Sequence, residues 1–483
     1  MSKHGVFVYE EGTSIVAPIE GSSGIQVVIG VAPVNLLDDP ASAVNVPILA
    51  NSAKEAMEKL GYSTDFQNYT LCQSMYATNN LFQVGPVVYI NVLDPATHKT
   101  AVTEAEYAVS NLQAKVNVAG MLRAGLVVKK GSTSLTAGTD FTTSFDNDGN
   151  LIITLIAGGA GDDATVLKVS GNKIDPSAIT KNTIIGSYNS STGAETGLEV
   201  IRQVFPKLGV VPGLLLAPGW SQEPEVGIAL AAKAANINGV FKAMALVDLS
   251  TAAGKARVYT DCLTVKNDSG FTSEFCYPLW PLAKVGEIKL AMSAVVGALT
   301  AWVDANNQDV PSRSPSNERL GITGLCLADG TEVVLDQDQG STVNTYGVAT
   351  AINMDGWKLW GNYTGAYPSS TDAKDIWFPV RRMFNWHGNN FIRTYFSKVD
   401  DPMNRILIES VVDSENIRCA AYAPAHWAGA RMQYLASDNP ITNILAGKVV
   451  FRQSIAPYTP AQEIDNILSY DTALLQSVLL GGE

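Results

Sequence analysis

The chain has 483 residues, of which 46% are hydrophobic and 16% are charged, and its formal net charge at pH 7 is −13. This length suggests two to four domains of about 100–200 residues each, and it is ample for burying hydrophobic cores. The acidic balance argues against nucleic-acid binding, because proteins that bind nucleic acids use positive charge to neutralise phosphates.

The cysteine pattern and the apolar segments indicate in which cellular compartment the protein is expected. The sequence contains five cysteines: Cys72, Cys262, Cys276, Cys326 and Cys419. Their number is odd and none shares a CxxC spacing, which argues against a disulfide framework or a zinc site and favours a reducing compartment. The N-terminus lacks a signal-peptide core, and the longest apolar helical run, residues 291–303, falls short of the ~18 residues of a membrane span. We therefore expect a soluble protein that is not secreted by the general route.

Residues 1–20 are predicted to form an extended N-terminal arm. Within this arm, β-branched and aromatic residues follow one another at Val6, Phe7, Val8 and Tyr9, which favours a β-strand. A strand this close to the chain end needs the edge of another strand as its partner. That edge can belong to the same molecule or to another one.

Residues 21–95 have the pattern of an α/β unit. Compact apolar runs predict buried strands at residues 25–31 and 87–93. Ser52 and Glu55 have the spacing of a capping box that opens a helix, which Gly61 ends. A second helix is predicted over residues 66–83.

Residues 96–195 change in character, because they are rich in Thr, Ser, Gly, Asn and Asp and carry short alternating runs. Residues 144–156 predict a β-hairpin that turns at Asp148 and Gly149. We predict a small all-β domain inserted into the α/β domain. Such an insertion is tolerated at an exposed loop, so we expect it on the outer surface.

The alternation of helices and strands returns over residues 196–336. Helices are predicted at residues 198–208, 223–236 and 284–306, with strands at 213–217, 240–248 and 274–280. This alternation is typical of a largely parallel, doubly wound sheet. Residues 21–95 and 196–336 together are therefore predicted to form one α/β core domain.

Residues 337–483 are predicted to form a C-terminal α+β domain that follows a polar junction at residues 336–341. A hairpin is expected at residues 348–360, with Gly356 at a positive φ. Helices are expected at residues 378–398 and from 402 onward, a strand at 449–455, and a last helix at 461–480. The predicted fold class is thus α/β: a doubly wound core with an inserted all-β domain, plus a C-terminal α+β domain and extended terminal β-arms.

No set of residues in the sequence combines a nucleophile, a base and an orienting group. The best enzymatic candidates are Ser221 and Glu223, because they follow a predicted strand where doubly wound enzymes place active residues. The simpler interpretation is that Ser221 caps the next helix. A hydrolase-like enzyme that uses Ser221, Glu223 or His387 is therefore the alternative to a structural role.

The remaining polar motifs do not have the spacing of a known site. Residues 336–347 place glycine at position five rather than six and end on glycine rather than glutamate, unlike a calcium-binding EF-hand loop. Residues 158–161 lack the Lys-Ser/Thr of a phosphate loop. Glu409 and Asp413 lie at i, i+4 and can be read as a pair of catalytic carboxylates, but a solvated helix face explains their spacing as well. The sequence therefore predicts no catalytic residue, no metal and no cofactor.

Residues 336–413 resemble contractile tail sheath proteins of temperate myophages and related R-type bacteriocins. The residues that carry the resemblance are TYGV at 345–348 and MDGWKLWGNYT at 354–364, with the hairpin motif Gly356, Trp357, Trp360, Gly361 and Asn362 as the most specific part. Weaker similarities lie at HGVFVYE near the N-terminus, at LAPG in residues 216–219 and at residues 448–451. The resemblance covers most of the chain except residues 96–195.

The resemblance implies a structural polymer rather than an enzyme. Subunits would stack helically around a tail tube and contract to drive the tube through the target cell envelope. The terminal segments would add strands to neighbouring copies, with residues 6–9 and Val449, Val450 and Phe451 as inter-subunit strands. The domain from residue 337 onward would face the tube, and its final helix would contact it.

The resemblance also implies partners and a location. The partners would be other copies of the chain, the tail tube protein, and the baseplate and tail terminator proteins, without direct nucleic-acid contact or membrane insertion. The protein would be made in the bacterial host cytoplasm and become part of a virion or bacteriocin tail. Another tail or baseplate component is a further alternative.

Overall fold

The computed structural model describes residues 22–480. The predicted N-terminal arm, with Val6, Phe7, Val8 and Tyr9, lies outside the described residues. No helix in the described range is both long and apolar enough to cross a membrane.

The first unit, up to residue 95, contains three strands and two α-helices. They are, in chain order, β1 Gln26–Gly30, β2 Pro47–Ala50, α1 Ala53–Leu60, α2 Leu71–Tyr76 and β3 Val87–Asn91. The predicted start and end of α1 are confirmed, since the Ser52 hydroxyl accepts a hydrogen bond from the Glu55 backbone and Gly61 follows at φ +76°. The second predicted helix is wrong at its start, because α2 begins at Leu71. Its predicted end is confirmed, because a π-helical segment continues over residues 77–82 and Gln83 is its C-cap.

The next unit is a seven-stranded antiparallel sheet in the order β7-β6-β10-β4-β5-β9-β8. Its strands are β4 Lys99–Ser110, β5 Gln113–Val116, β6 Val127–Lys130, β7 Thr133–Leu135, β8 Phe141–Phe145, β9 Leu151–Leu155 and β10 Val166–Ile174. The predicted turn between β8 and β9 is confirmed, with Gly149 at φ +77° and the Asp146 carboxylate accepting from the backbone of Asn150 at 2.8 Å. The sheet buries its own apolar core, and the Arg123 guanidinium links it to the Leu37 carbonyl at 2.9 Å.

Residues 175–335 return to mixed α/β structure. The elements are α3 Lys181–Ile185, α4 Val204–Leu208, β11 Leu214–Leu216, α5 Pro224–Ala235, β12 Met244–Asp248, α6 Cys262–Asp268, β13 Cys276–Leu279, β14 Leu282–Val285, β15 Ile288–Leu290, α7 Met292–Ala305, β16 Gly324–Cys326 and β17 Glu332–Val333. The helix predicted over 284–306 is wrong at its start. Residues 282–290 instead form an antiparallel strand pair that turns at Gly286, whose φ is +58°.

A six-stranded sheet in the order β13-β12-β11-β1-β3-β2 forms the centre of the molecule. Every neighbouring pair in it is parallel except β2 with β3. All five residues of β1 are buried, as expected for parallel strands that are covered on both faces. The central helix α7 is buried along nearly its whole length and contacts β1, β11 and β12.

Gly297 lets α7 approach this sheet. A Cβ atom on Gly297 would lie 2.8 Å from Gln26 Oε1 and closer still to Leu216 Cδ2. We expect Gly297→Ala to lower the free energy of unfolding by about 1–3 kcal/mol through overpacking. Gly388→Ala is the control, because no described atom lies within 4 Å of a Cβ added to this helical glycine, and the substitution gains up to about 1 kcal/mol of helix propensity.

Urea denaturation of the two variants measures this difference. Equal effects of the two substitutions would contradict close packing of α7 on the sheet.

The C-terminal part contains six helices and four strands among the described residues. They are α8 Gln337–Thr345, β18 Thr350–Asn353, β19 Trp357–Trp360, α9 Ala373–Ile376, α10 Phe378–Tyr395, α11 Arg405–Ala421, β20 Trp427–Tyr434, α12 Ile441–Leu445, β21 Phe451–Pro457 and α13 Thr472–Leu480. The predicted hairpin is confirmed as β18 and β19, with Gly356 at φ +108°. The polar residues predicted as a linker are instead helical, because Asp336 and Gln339 form a capping box that opens α8.

Two further predictions in this part need correction. Val449 and Val450 precede β21 rather than belonging to it, because the Asn439 side chain bonds both the N–H and the carbonyl of Val450, at 2.7 and 2.9 Å. The last helix begins at Thr472 rather than at residue 461, and residues 458–471 have no regular structure.

Candidate interaction site

Of the two sequence candidates for catalysis on this loop, Ser221 lies in a buried hydrogen-bond network, whereas Glu223 is exposed and lies outside it. The Ser221 hydroxyl donates to the Asp248 carboxylate at 2.8 Å, and Ser293 at the start of α7 donates to the same carboxylate through its hydroxyl and its backbone N–H. Burial raises the pKa of Asp248. Ser221 does not cap α5, whose first turn follows Glu223 without a side-chain cap, so this helix-cap interpretation is wrong. The carboxylate instead holds the start of α7 against β12.

His387 belongs to a buried charge network between α10, α11 and β21. The Arg418 guanidinium donates to Glu415 at 2.6 Å and to His387 Nδ1 at 2.9 Å. Gln453 on β21 donates to the same Glu415 carboxylate at 3.1 Å. Burial opposes ionisation of Glu415, but the hydrogen bonds from Arg418 hold its pKa below the ordinary value. This network ties the two long helices to the last strand.

The same network contains a possible ligand set for a metal, since His387, Glu415 and Cys419 bring their ligand atoms within 4.8 Å of one another. The geometry disfavours a metal. Because Nδ1 of His387 accepts from Arg418, the neutral ring carries its proton on Nε2, which faces Glu415 at 3.3 Å. Burial and the Arg418 charge also lower the pKa of His387. We therefore interpret the cluster as an ion-pair network.

A second buried ion pair fixes the place where the described chain begins. Arg382 on α10 pairs with Asp304 at the end of α7, and the side chains of both residues are almost fully buried. The Ser23 hydroxyl donates to the same carboxylate at 2.7 Å. Because removing one partner of a buried pair costs about 3–5 kcal/mol, this contact holds α10, α7 and the root of the N-terminal segment firmly together.

The hairpin motif lies at the junction between the central sheet and α10. Tyr277 on β13 donates its hydroxyl to the Gly361 carbonyl at 2.7 Å, and the Asn362 carbonyl accepts from the Phe378 backbone at 2.8 Å. The outer side of β19 is already occupied, since the Trp357 carbonyl accepts from Leu320 at 3.0 Å. Among the described residues, Trp357, Trp360, Gly361 and Asn362 therefore pack against other elements and present no free strand edge, whereas Gly356 is exposed at the hairpin turn.

Among the residues that the structure describes, the two-stranded sheet of β20 and β21 has one edge that is covered and one that has no partner. The Asn416 side chain on α11 accepts from the Met432 N–H at 2.8 Å and donates to its carbonyl at 3.1 Å. Both backbone groups of Met432 thus face away from β21, and Asn416 occupies the outer edge of β20 at this point.

The pairing register of β20 with β21 shows that the edge without a partner lies on β21. Met432 pairs with Gln453, so the backbone groups of Gln453 also face away from the partner strand, as do those of Phe451 and Ile455 two residues either side. Among the described residues, none bonds the outward backbone groups of these three residues. Such a row of unpaired N–H and C=O groups is a template for another strand.

The segment after β21 exposes a continuous series of large apolar side chains. They are Ile464, Ile467, Leu468, Tyr470, Leu474, Leu475, Val478 and Leu479, with Ile467 92% exposed. Within the described part of the chain, one side-chain hydrogen bond ties this segment to the body, from Gln462 to the Tyr363 hydroxyl at 3.2 Å. Exposed apolar surface of this extent marks an interaction region.

Comparison with known proteins identifies what kind of molecule carries these features. No family model matches the chain. The tail sheath protein of Burkholderia phage BcepMu is 26% identical to it over 99% of this chain and 98% of the phage protein. The chain is a contractile tail sheath homologue. The prediction of a structural sheath protein rather than an enzyme is confirmed.

Solved structures agree with the fold of the sheath homologue. A chain of an extracellular contractile injection system, the PVC sheath complex in its contracted state, superposes with a TM-score of 0.58 at 14% identity and covers 98% of this chain and 99% of that chain. A chain of the anti-feeding prophage (AFP) baseplate gives 0.56 at 13% identity and covers 98% and 100%. At these identities the likeness shows a shared mixed α/β fold.

Only one of the three residues predicted for the C-terminal inter-subunit strand lies in a strand of the structure. Phe451 opens β21 and lies on its open edge, whereas Val449 and Val450 precede the strand. Sequence reasoning missed Asn416 and the Glu415–Arg418 pair, which decide how β20, β21 and α11 fit together. The i, i+3 spacing of Glu415 and Arg418 was visible in the sequence, but their burial was not.

Proposed function

We propose that this sheath homologue is the structural subunit of a contractile tail sheath, which polymerises helically around a tail tube and contracts to drive the tube through a target cell envelope. The observation that carries the proposal is similarity to a phage tail sheath protein over 99% of the chain. The open edge of β21 and the exposed tail after it support the proposal, since both are surfaces that a polymer would cover.

The linkage between subunits is proposed to be strand addition. Residues 6–9 of one copy, namely Val6, Phe7, Val8 and Tyr9, would pair with a strand edge of a neighbour, and the segment at Val449, Val450 and Phe451 would take part in the same mesh. Backbone hydrogen bonds give such pairing its strength almost independently of side chains. A contact between two different surfaces that does not close into a ring generates a helical polymer, and rigid-body rotation of the subunits then provides contraction.

The domain organisation is proposed as predicted from the sequence. Residues 1–20 form the arm, 21–95 and 196–336 a doubly wound core, 96–195 an outer inserted β-domain, and 337–483 the inner, tube-facing domain. The sheath would contact the tube, the baseplate and the tail terminator. The subunit would be made in the bacterial host cytoplasm and become part of a virion or bacteriocin tail.

Deletion of residues 1–20 tests the proposal. Negative-stain microscopy of the purified full-length chain should show rings or long tubes, because each arm supplies a strand to a neighbour. The truncated chain should remain a folded monomer, with unchanged circular dichroism and a monomer mass in sedimentation. A full-length chain that stays monomeric at high concentration would contradict the polymer, and tubes formed by the truncated chain would contradict the role of the arm.

A further inference from the structure

We propose that a cationic cleft beside Ser22 binds a carboxylate, and that its occupant is Glu20 of the same chain. This inference rests on the proposed homopolymer, because the contact would set the direction in which the N-terminal arm leaves its own subunit. The cleft is thus a positioning site for the arm within one chain.

The cleft lies where the described chain begins, between α10 and the segments that precede β11 and β12. Its volume is about 30 Å³, which suits a group as small as a carboxylate. Three of its lining residues are cationic, namely Lys242, Arg382 and Arg393, and none of the described lining residues is acidic. The cleft therefore favours an anion.

Two of these three cations have no counter-charge among the described residues. Arg382 pairs with Asp304, whereas neither Lys242 nor Arg393 forms an ion pair with a described carboxylate. The Lys242 ammonium lies 5.6 Å from the centroid of the Phe275 ring, whose face also carries the Arg381 guanidinium at 5.1 Å. Positive charge thus accumulates here, in a chain whose net charge is −13.

Helix α10 holds the two sides of the cleft in place. The Asn389 side chain accepts from the N–H of Lys242 at 3.0 Å and donates to its carbonyl at 2.7 Å. Asn385 donates to the carbonyl of Ala243 at 3.0 Å. Arg393 follows Asn389 by four residues and so lies on the same face of α10. The cations are therefore positioned by the fold before any anion binds.

Glu20 is the carboxylate that fits this cleft by its place in the chain. It precedes Ser22 by two residues, and Ser22 itself lines the cleft. Two residues span at most about 7 Å, so the Glu20 side chain starts within reach of Lys242 and Arg393. The nearest described carboxylate, that of Asp309, already accepts from the Ser22 hydroxyl at 3.3 Å.

A contact at Glu20 would give the arm a second fixed point. The first is Ser23, whose hydroxyl donates to Asp304 at 2.7 Å and to the carbonyl of Asp309 at 3.1 Å. Two fixed points three residues apart define a direction for the chain that precedes them. Less conformational entropy is then lost when the arm pairs with a neighbour.

Zero-length cross-linking tests the contact directly. A carbodiimide joins a carboxylate to an amine only where the two groups touch. We expect mass spectrometry of the diluted full-length chain to show an amide link between Glu20 and Lys242, with a several-fold lower yield in Arg393→Gln. A mixture of isotopically labelled and unlabelled chains should show this link within single chains. No link, a link between chains, or a link from Glu11 instead would overturn the inference.

Charge exchange tests the consequence for assembly. Glu20→Arg should raise the concentration at which tubes form by a few-fold, as expected from the loss of one partly exposed ion pair, and Arg393→Glu in the same chain should reverse the change. Glu11→Arg is the matched control and should have a smaller effect. If Glu20→Arg forms tubes as readily as the unmodified chain, the role of the cleft in assembly is overturned and the sheath function stands. Absence of tubes from the unmodified chain would overturn the sheath function, while the cross-link would still decide the contact.

Discussion

Ile455→Pro is expected to abolish tube formation while the subunit still folds. The N–H of Ile455 faces away from β20, so proline at this position removes no hydrogen bond within the hairpin. The proline does remove a donor that an added strand needs, and its ring obstructs the approach of that strand. Microscopy and sedimentation should show no tubes at concentrations at which the unmodified chain polymerises.

Two controls make this result specific. Ile455→Val keeps the N–H and the apolar contact beneath it, and it should polymerise normally. Ser454→Pro places the same ring one residue earlier, where the N–H faces β20, and should unfold the hairpin itself. If Ile455→Pro forms tubes as readily as the unmodified chain, strand addition does not use the outer edge of β21.

Glu415→Ala is expected to destabilise the C-terminal part by about 3–5 kcal/mol, because it leaves the buried Arg418 guanidinium without its counter-charge. Glu415 is fully buried and accepts hydrogen bonds from Arg418, Gln453 and Tyr395. Urea denaturation, followed by the fluorescence of the nearby Trp427, measures the loss.

A double substitution separates charge from packing. Glu415→Leu combined with Arg418→Met removes both charges and fills similar volume, and exchanges of this kind are often neutral or stabilising. We therefore expect the double variant to recover most of the stability that Glu415→Ala loses. If Glu415→Ala alone lowers the free energy of unfolding by less than about 1 kcal/mol, Arg418 must find another partner or reach water in that variant.

Local sequence signals predicted several elements correctly because the interactions that form them lie within a few residues. Ser52 and Glu55 start α1 through hydrogen bonds inside the first turn. Gly149 and Gly356 each adopt a positive φ, which allows the tight turn between the two strands of their hairpin. The motif around Trp357 and Trp360 pointed to tail sheath proteins, and the relative found over the whole chain agrees.

Other elements depend on contacts that a local pattern does not contain. The apolar run before α7 reads as helix, yet residues 282–290 pair as strands because β16 supplies an edge for β14. The polar residues after Asp336 read as a linker, yet α8 forms because Gly340 lets it lie against Ile352 and Trp360.

The sequence by itself determined the α/β fold class, because short runs of apolar residues predict buried strands and glycines predict tight turns. Only the tertiary structure decided which surface is left for a neighbour. Asn416 reaches Met432 from another element and closes one edge of the last sheet, while no described residue bonds the opposite edge at Gln453. Edges are products of packing between distant segments, because a backbone group is available only when no other part of the fold has already bonded it.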